Sequence, residues 1–173
     1  MPLDSPIDAT PDTVRAVLAP IRNDFAIAVV TPGNAFAVGA IIRVAHSFLA
    51  REIIVVGADD WYPKASMGMH KYEKLVRVES AEGLFDYVQE RPLWAIEKDH
   101  ARATVQSVDR FPPGVVFVFG SERYGLPRTI VERADEVVGI PIYGINQSLP
   151  VAVAAGIVMH EWARRRYAAG TVV

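Results

Sequence analysis

Short runs dense in valine, isoleucine and phenylalanine recur along this chain and alternate with stretches of helical spacing. Residues 25–30 (FAIAVV), 52–56 (EIIVV), 93–96 (LWAI), 115–119 (VVFVF) and 136–140 (EVVGI) are of this kind, and 75–78 (LVRV) is a further candidate. A strand with one wet face alternates apolar and polar residues. Near-continuous apolar runs need cover on both faces, which is the condition of parallel strands. Between the runs, residues 38–49, 81–89, 129–134 and 148–167 carry helical spacing, and 13–18 is a short helical candidate. Residues 64–74 (KASMGMHKYEK) are polar and contain glycine, so a loop and a short helix are both open there. Strands alternating with helices imply an α/β fold, Rossmann-like, with a mostly parallel sheet covered on both faces. Such sheets bind ligands in a crevice at the carboxyl ends of their strands.

A chain of 173 residues forms one domain of ordinary size and can bury a full core. Residues 1–22, rich in proline and aspartate, read as a flexible N-terminal extension, and residues 23–173 as the domain. There is no cysteine, which excludes disulfides and cysteine-based metal or redox chemistry. His46, His70, His100 and His160 lack metal-ligand spacing, so no metal is expected. The N-terminus has neither the basic start nor the apolar run of a signal peptide, and no stretch approaches a membrane span. A cytoplasmic location is expected. The net charge of −2 is not that of a general nucleic-acid binder. Any RNA contact therefore needs a local patch: Lys64, Lys71 and Lys74, or Arg164, Arg165 and Arg166. Both clusters also read as solvated charged faces, and the second sits where a helix dipole favours cations.

Two segments carry the chemistry. FGSERYGLP, residues 119–127, opens with a strand end at Gly120, where a missing side chain lets a ligand approach the backbone. Glu122 and Arg123 project from the turn, and Gly125 permits a positive φ. An ordinary strand-to-helix turn reads the same way. IPIYGINQSLPVAVAAG, residues 140–156, places Ser148 as a helix N-cap and Pro150 in the first turn. Ala152, Ala154, Ala155 and Gly156 then allow close packing. Upstream, Arg43 stands in an otherwise apolar helix. It either snorkels from the helix edge or aims its planar donor fork at phosphate. GxGxxG, GxxxxGK and GxSxG patterns are absent.

Taken in order, AVGAIIR (37–43), GSERYGL (120–126) and IPIYGINQSLPVAVA (140–154) resemble the three motifs of the SpoU/TrmH family of RNA 2′-O-ribose methyltransferases, within the SPOUT superfamily. The resemblance implies an α/β domain ending in a deep trefoil knot, an obligate homodimer, and S-adenosylmethionine as cofactor. It implies methyl transfer to a ribose 2′-hydroxyl of tRNA or rRNA. By position, Ile96, Gly120, Gly125, Ile140, Ser148 and Leu149 would line the cofactor site, and Arg43, Glu122 and Ser148 would be the catalytic residues. For Arg43 the expected role is an electrostatic clamp on phosphate and developing oxyanion, with a general-base role as the open alternative.

The chain departs from the family pattern at three positions. Ala37 and Pro150 stand where the family has asparagine, and Ala152 where it has serine. Losing a buried hydrogen-bonding partner costs about 1–3 kcal/mol. Asn34 and Asn146 are the nearby amides that could replace the missing ones. These departures leave two alternatives: a knotted RNA-binding dimer without catalysis, and a methyltransferase of a small hydroxylated molecule.

Overall fold

The apolar runs pair side by side in a single parallel sheet. The computed structural model describes residues 9–31, 33–146 and 148–167. The first eight residues of the extension, Pro32, Gln147 and residues 168–173 lie outside the described part. The strands are β1 (Ala26–Val30), β2 (Ile53–Val56), β3 (Leu75–Val78), β4 (Leu93–Ile96), β5 (Ala103–Thr104), β6 (Val116–Phe119) and β7 (Glu136–Gly139). Their spatial order is β3-β2-β1-β6-β4-β7-β5, and every pairing is parallel. The two-residue β5 was too short for an apolar pattern to reveal.

Side chains alternate across a strand, so each strand feeds two cores. Ile27, Val29, Ile53, Val55, Phe117 and Phe119 meet helices α2 (Ala35–Ser47) and α5 (Val151–Arg166). Ala28, Val30, Ile54, Val56, Val116 and Val118 meet α3 (Ala81–Val88) and α4 (Arg128–Arg133). The expectation of a parallel sheet covered on both faces is met. Helix α2 begins three residues earlier than its spacing suggested. Residues 64–74 form two 3₁₀ turns, Pro63–Ser66 and Met69–Lys71, with Gly68 at φ 85° between them.

Residues 9–22 are docked rather than a free lead-in. Thr10 caps α1 (Pro11–Leu18), Leu18 is buried, and Arg15 donates to the Lys71 carbonyl at 2.5 Å. Arg22 forks onto buried Glu73 at 2.7 and 3.0 Å, and His46 Nδ1 lies 2.7 Å from the same carboxylate. Burial pushes the Glu73 carboxyl up, but the hydrogen bonds from His46 and Arg22 outweigh it and hold the carboxyl below its usual range. A buried charge needs such partners, and this one fastens the extension to α2 and the 63–74 segment.

The sheet order sets one topological relation that the site depends on. Strand β7 lies between β4 and β5. The chain leaving β4 therefore passes β7 to reach β5, and then returns to β6 on the far side of β4. Helix α5 secures this excursion from its last turns. Arg165 donates to the carbonyls of Val108, Val105 and Gln106, and its guanidinium lies 5.2 Å from the Phe111 ring. Arg165 and Arg164 also converge on Glu161, at 2.8 Å and at 2.7 and 2.9 Å. Hydrogen bonding from Arg164, with Arg165 beside it, holds the Glu161 carboxyl down at about 2. A carboxyl lowered on folding stabilises the fold above its ordinary pKa, and that stability is lost as pH falls through the folded value. Thermal melts should therefore lose stability as pH drops from about 4.5 towards 2. Glu161→Gln should be less stable at neutral pH and should flatten that part of the slope.

Candidate active site

The carboxyl ends of β4, β6 and β7 open on one cavity of about 770 Å³. This volume falls within the range of small-molecule sites. Its walls come from the three segments that follow those strands. Ile96 to His100 continue from β4. Gly120, Ser121, Glu122, Tyr124, Gly125 and Leu126 follow β6. Ile140, Ile142, Ser148 and Leu149 follow β7, and Val151 and Ala154 of α5 close the side. Glu122 and all six residues expected around a cofactor, Ile96, Gly120, Gly125, Ile140, Ser148 and Leu149, line this one space.

The turn after β6 is built by its glycines. Gly125 has φ 65°, and Ser121 and Gly125 exchange backbone hydrogen bonds of 3.1 and 2.9 Å. Ser121 Oγ accepts from the Tyr124 amide at 3.0 Å. A Cβ at Gly120 would lie 2.3 Å from the Gly125 carbonyl carbon and 2.5 Å from the Leu126 nitrogen. Gly120 thus lets its own turn fold back on it, while it also lines the cavity.

Ser148 does not cap α5. Pro150 occupies the N-cap position with extended backbone, and the helix starts at Val151. The Ser148 amide and hydroxyl instead face Asn146 Oδ1 at 3.3 and 3.4 Å. The cap is supplied from another segment, since the Val151 amide donates to Glu122 Oε1 at 3.2 Å. A carboxylate is favoured at a helix N-terminus by both hydrogen bonding and dipole. Glu122 therefore links the β6 turn to the start of α5. That link was not legible in the sequence, because its partners are 29 residues apart.

The sequence profile of the SpoU rRNA Methylase family matches residues 24–160. The chain belongs to this family. It is 32% identical over 136 residues to the 23S rRNA (guanosine-2′-O-)-methyltransferase RlmB of Coxiella burnetii, covering 75% of this chain and 54% of that one. The SpoU methyltransferase AviRb from Streptomyces viridochromogenes, solved in complex with AdoMet, superposes with a TM-score of 0.75 at 29% identity, covering 87% of this chain and 61% of AviRb. A TrmH/SpoU tRNA modifying enzyme of A. aeolicus superposes with a TM-score of 0.76 at 25% identity, over 91% of this chain and 82% of that one. The chain spans about half the length of RlmB.

The SpoU pattern also locates residues that the cavity does not include. Arg43 is exposed on α2 and is not among the cavity residues. Ala37 is packed into the core. Asn34, a candidate replacement amide, is 3% exposed and also off the cavity wall. Its Nδ2 reaches the Val30 carbonyl at 3.5 Å and its Oδ1 has no partner among the described residues. Asn146 stays beside Ser148. Ala152 borders a second, shallower groove with Val44, Val153, Gly156, Ile157 and His160.

One member of the first expected basic patch and two of the second are committed to carboxylates. Lys74 pairs with buried Glu52 at 2.7 Å, and Arg164 and Arg165 hold Glu161. Buried carboxylates demanded these cations, which composition could not reveal. The residues that sequence reasoning missed, Glu97, Lys98, Asp99 and His100, directly follow the LWAI strand. Their position after a strand end was the available signal.

Two substitutions test the construction. Gly120→Ala should cost about 1–3 kcal/mol, because the turn has to open. Glu122→Ala should cost about 1 kcal/mol through the lost cap. Denaturant melts measure both, and faster amide exchange should appear at the start of α5 in Glu122→Ala.

Proposed function

We propose that this chain is an S-adenosylmethionine-dependent RNA methyltransferase acting on a ribose 2′-hydroxyl of tRNA or rRNA. One observation carries the reading: the segments after β4, β6 and β7, holding the family's second and third motifs, converge on one cavity. The residues there fit the cofactor. Ile96, Ile140, Ile142 and Leu149 offer apolar surface for an adenine ring. The glycine turns expose main-chain groups, and Glu97, Asp99 and Glu122 bring negative charge suited to a cationic ligand. Bound there, S-adenosylmethionine would supply an electrophilic methyl group on a sulfonium.

The chain's own residues then have three tasks. The 120–126 turn and the 140–149 segment orient the donor and leave the acceptor oxygen a line of approach, which is the larger part of catalysis for such a transfer. Ser148 offers a hydroxyl at the edge of the cavity. Glu122 holds the β6 turn against α5 through the Val151 amide. Arg43, with its planar donor fork, acts as a clamp on the neighbouring phosphate and on charge developing at the oxygen.

Further parts of the reading follow from the chain path, the packing and the sequence. The passage of the chain around β7 supports a C-terminal trefoil knot, with the last segment threaded through the 97–115 excursion. The apolar groove of Val44, Ala152, Val153, Gly156 and Ile157 supports a homodimer through α2 and α5. Because Arg43 is adjacent to that groove and outside its own cavity, pairing across it would deliver Arg43 to the neighbouring protomer's crevice. Residues 23–173 form the methyltransferase domain and 1–22 its extension. An RNA substrate and a cysteine-free chain support a cytoplasmic location.

The test is methyl transfer from S-adenosylmethionine carrying a labelled methyl group to total tRNA and rRNA, followed by digestion to nucleosides. Label in 2′-O-methylnucleosides, reduced about a hundredfold or more by Arg43→Ala, is the expected result. Label confined to bases would overturn the ribose assignment. Binding of RNA without any transfer would favour the non-catalytic dimer.

A further inference from the structure

At the carboxyl end of β1, beside the cavity, three aromatic rings stand in solvent. Phe36 is 67% exposed, Tyr62 46% and Tyr124 67%. Phe36 and Tyr124 are two-thirds exposed, and Tyr62 still shows nearly half of its surface beside Phe36, so apolar ring surface is left without a partner here. They are held in place. Phe36 and Tyr62 lie nearly parallel, with centroids 6.3 Å apart and 23° between planes. The Tyr62 amide donates to the Ala35 carbonyl at 2.9 Å. A Cβ at Gly39 would lie 2.5 Å from the Tyr62 carbonyl oxygen and 2.8 Å from Ala65 Cβ. Only a glycine lets the segment carrying Tyr62 lie flush on α2. Tyr124 reaches towards the same end of β1, with its Cε2 4.0 Å from where a Gly33 Cβ would be, and it also borders the cavity.

Cations accompany the rings. The Arg123 guanidinium lies 5.4 Å from the Tyr124 ring centroid. Lys64 follows Tyr62 by two residues. Neither of these two cations has a carboxylate partner among the described residues, whereas Lys74, Arg77, Arg128, Arg164 and Arg165 all do. The one acidic neighbour recorded at Gly33, Asp59, accepts from the Gly33 amide at 3.4 Å.

We infer that Tyr124 and the Phe36–Tyr62 pair form a stacking platform for unpaired nucleotides that flank the methylated one. This rests on the RNA reading above and narrows its substrate to single-stranded segments such as loops, bulges or ends. Exposed rings with nearby unpaired cations are what a single strand requires, faces for its bases and charge for its phosphates. A duplex cannot use the rings, because its base faces already stack on each other. Tyr124 is shared with the cavity, so the strand runs from the reaction centre across Gly33 to Phe36 and Tyr62.

The experiment uses the full chain and a uridine-rich strand of about ten nucleotides containing 2-aminopurine, whose fluorescence is quenched on stacking. The strand is offered alone and annealed to its complement. The expected result is quenching with the single strand, weaker binding of the duplex, and single-strand affinity lowered about ten- to hundredfold in Phe36→Ala and Tyr62→Ala. Phe36→Trp should restore it, and S-adenosylmethionine affinity should not change in these variants, since neither residue lines the cavity. Wild-type affinity in both alanine variants overturns the platform while leaving the enzyme reading intact. A change in their sedimentation mass assigns the patch to a protein interface and also overturns it. If the wild-type protein binds neither RNA, the platform falls together with the RNA reading.

Discussion

The position of β7 between β4 and β5 governs the molecule. Because of it, the polypeptide between β4 and β6 has to travel round a strand that comes later in the chain. Three strand ends, those of β4, β6 and β7, are thereby made neighbours, and each continues directly into cavity wall. The helices only have to keep this arrangement shut. Arg165 does so by holding three carbonyls of the excursion, and Glu122 by joining the β6 turn to α5.

Charge is distributed in a way that bulk composition conceals. Three buried carboxylates, Glu52, Glu73 and Glu161, are each met by two or more basic groups. Each is a fastening between segments distant in sequence or between the last turns of a helix and its neighbours. Burial works against the Glu52 carboxyl, but the hydrogen bonds from Lys74, Tyr87 and Arg91 win and lower it. Cations used in this way are not available to phosphate. Lys64 and Arg123, without carboxylate partners among the described residues, stand near the carboxyl end of β1, and a chain of net charge −2 can still present a local positive surface there.

Most of the sheet was legible because parallel strands buried on both faces leave continuous apolar runs, and five such runs are strands. β5 left no such mark, and its two residues matter only through where they pair. The cavity residues were legible through motif order, since Gly120, Gly125, Ile140, Ser148 and Leu149 line one cavity. Local roles were less legible. Ser148 looked like a cap, yet an extended Pro150 moves the helix start to Val151 and Glu122 caps it from afar. Arg43 looked like part of the same site, yet it is exposed on α2 and is not among the residues lining the cavity. The Arg164–Arg166 run looked like a surface patch, and a buried glutamate takes two of its three members. In each case the deciding contact is long-range or depends on burial, and spacing along the chain carries neither.

The central claim is that the crevice at the ends of β4, β6 and β7 holds S-adenosylmethionine. Calorimetric titration of the wild-type protein and of Ile140→Trp tests it most directly, since the larger side chain fills the cavity from a residue outside the glycine turn. The account predicts micromolar binding of S-adenosylmethionine and S-adenosylhomocysteine by the wild-type protein, and its loss in a folded Ile140→Trp. Binding that persists in the variant would contradict the location, and absence of binding in the wild-type protein would contradict the claim itself.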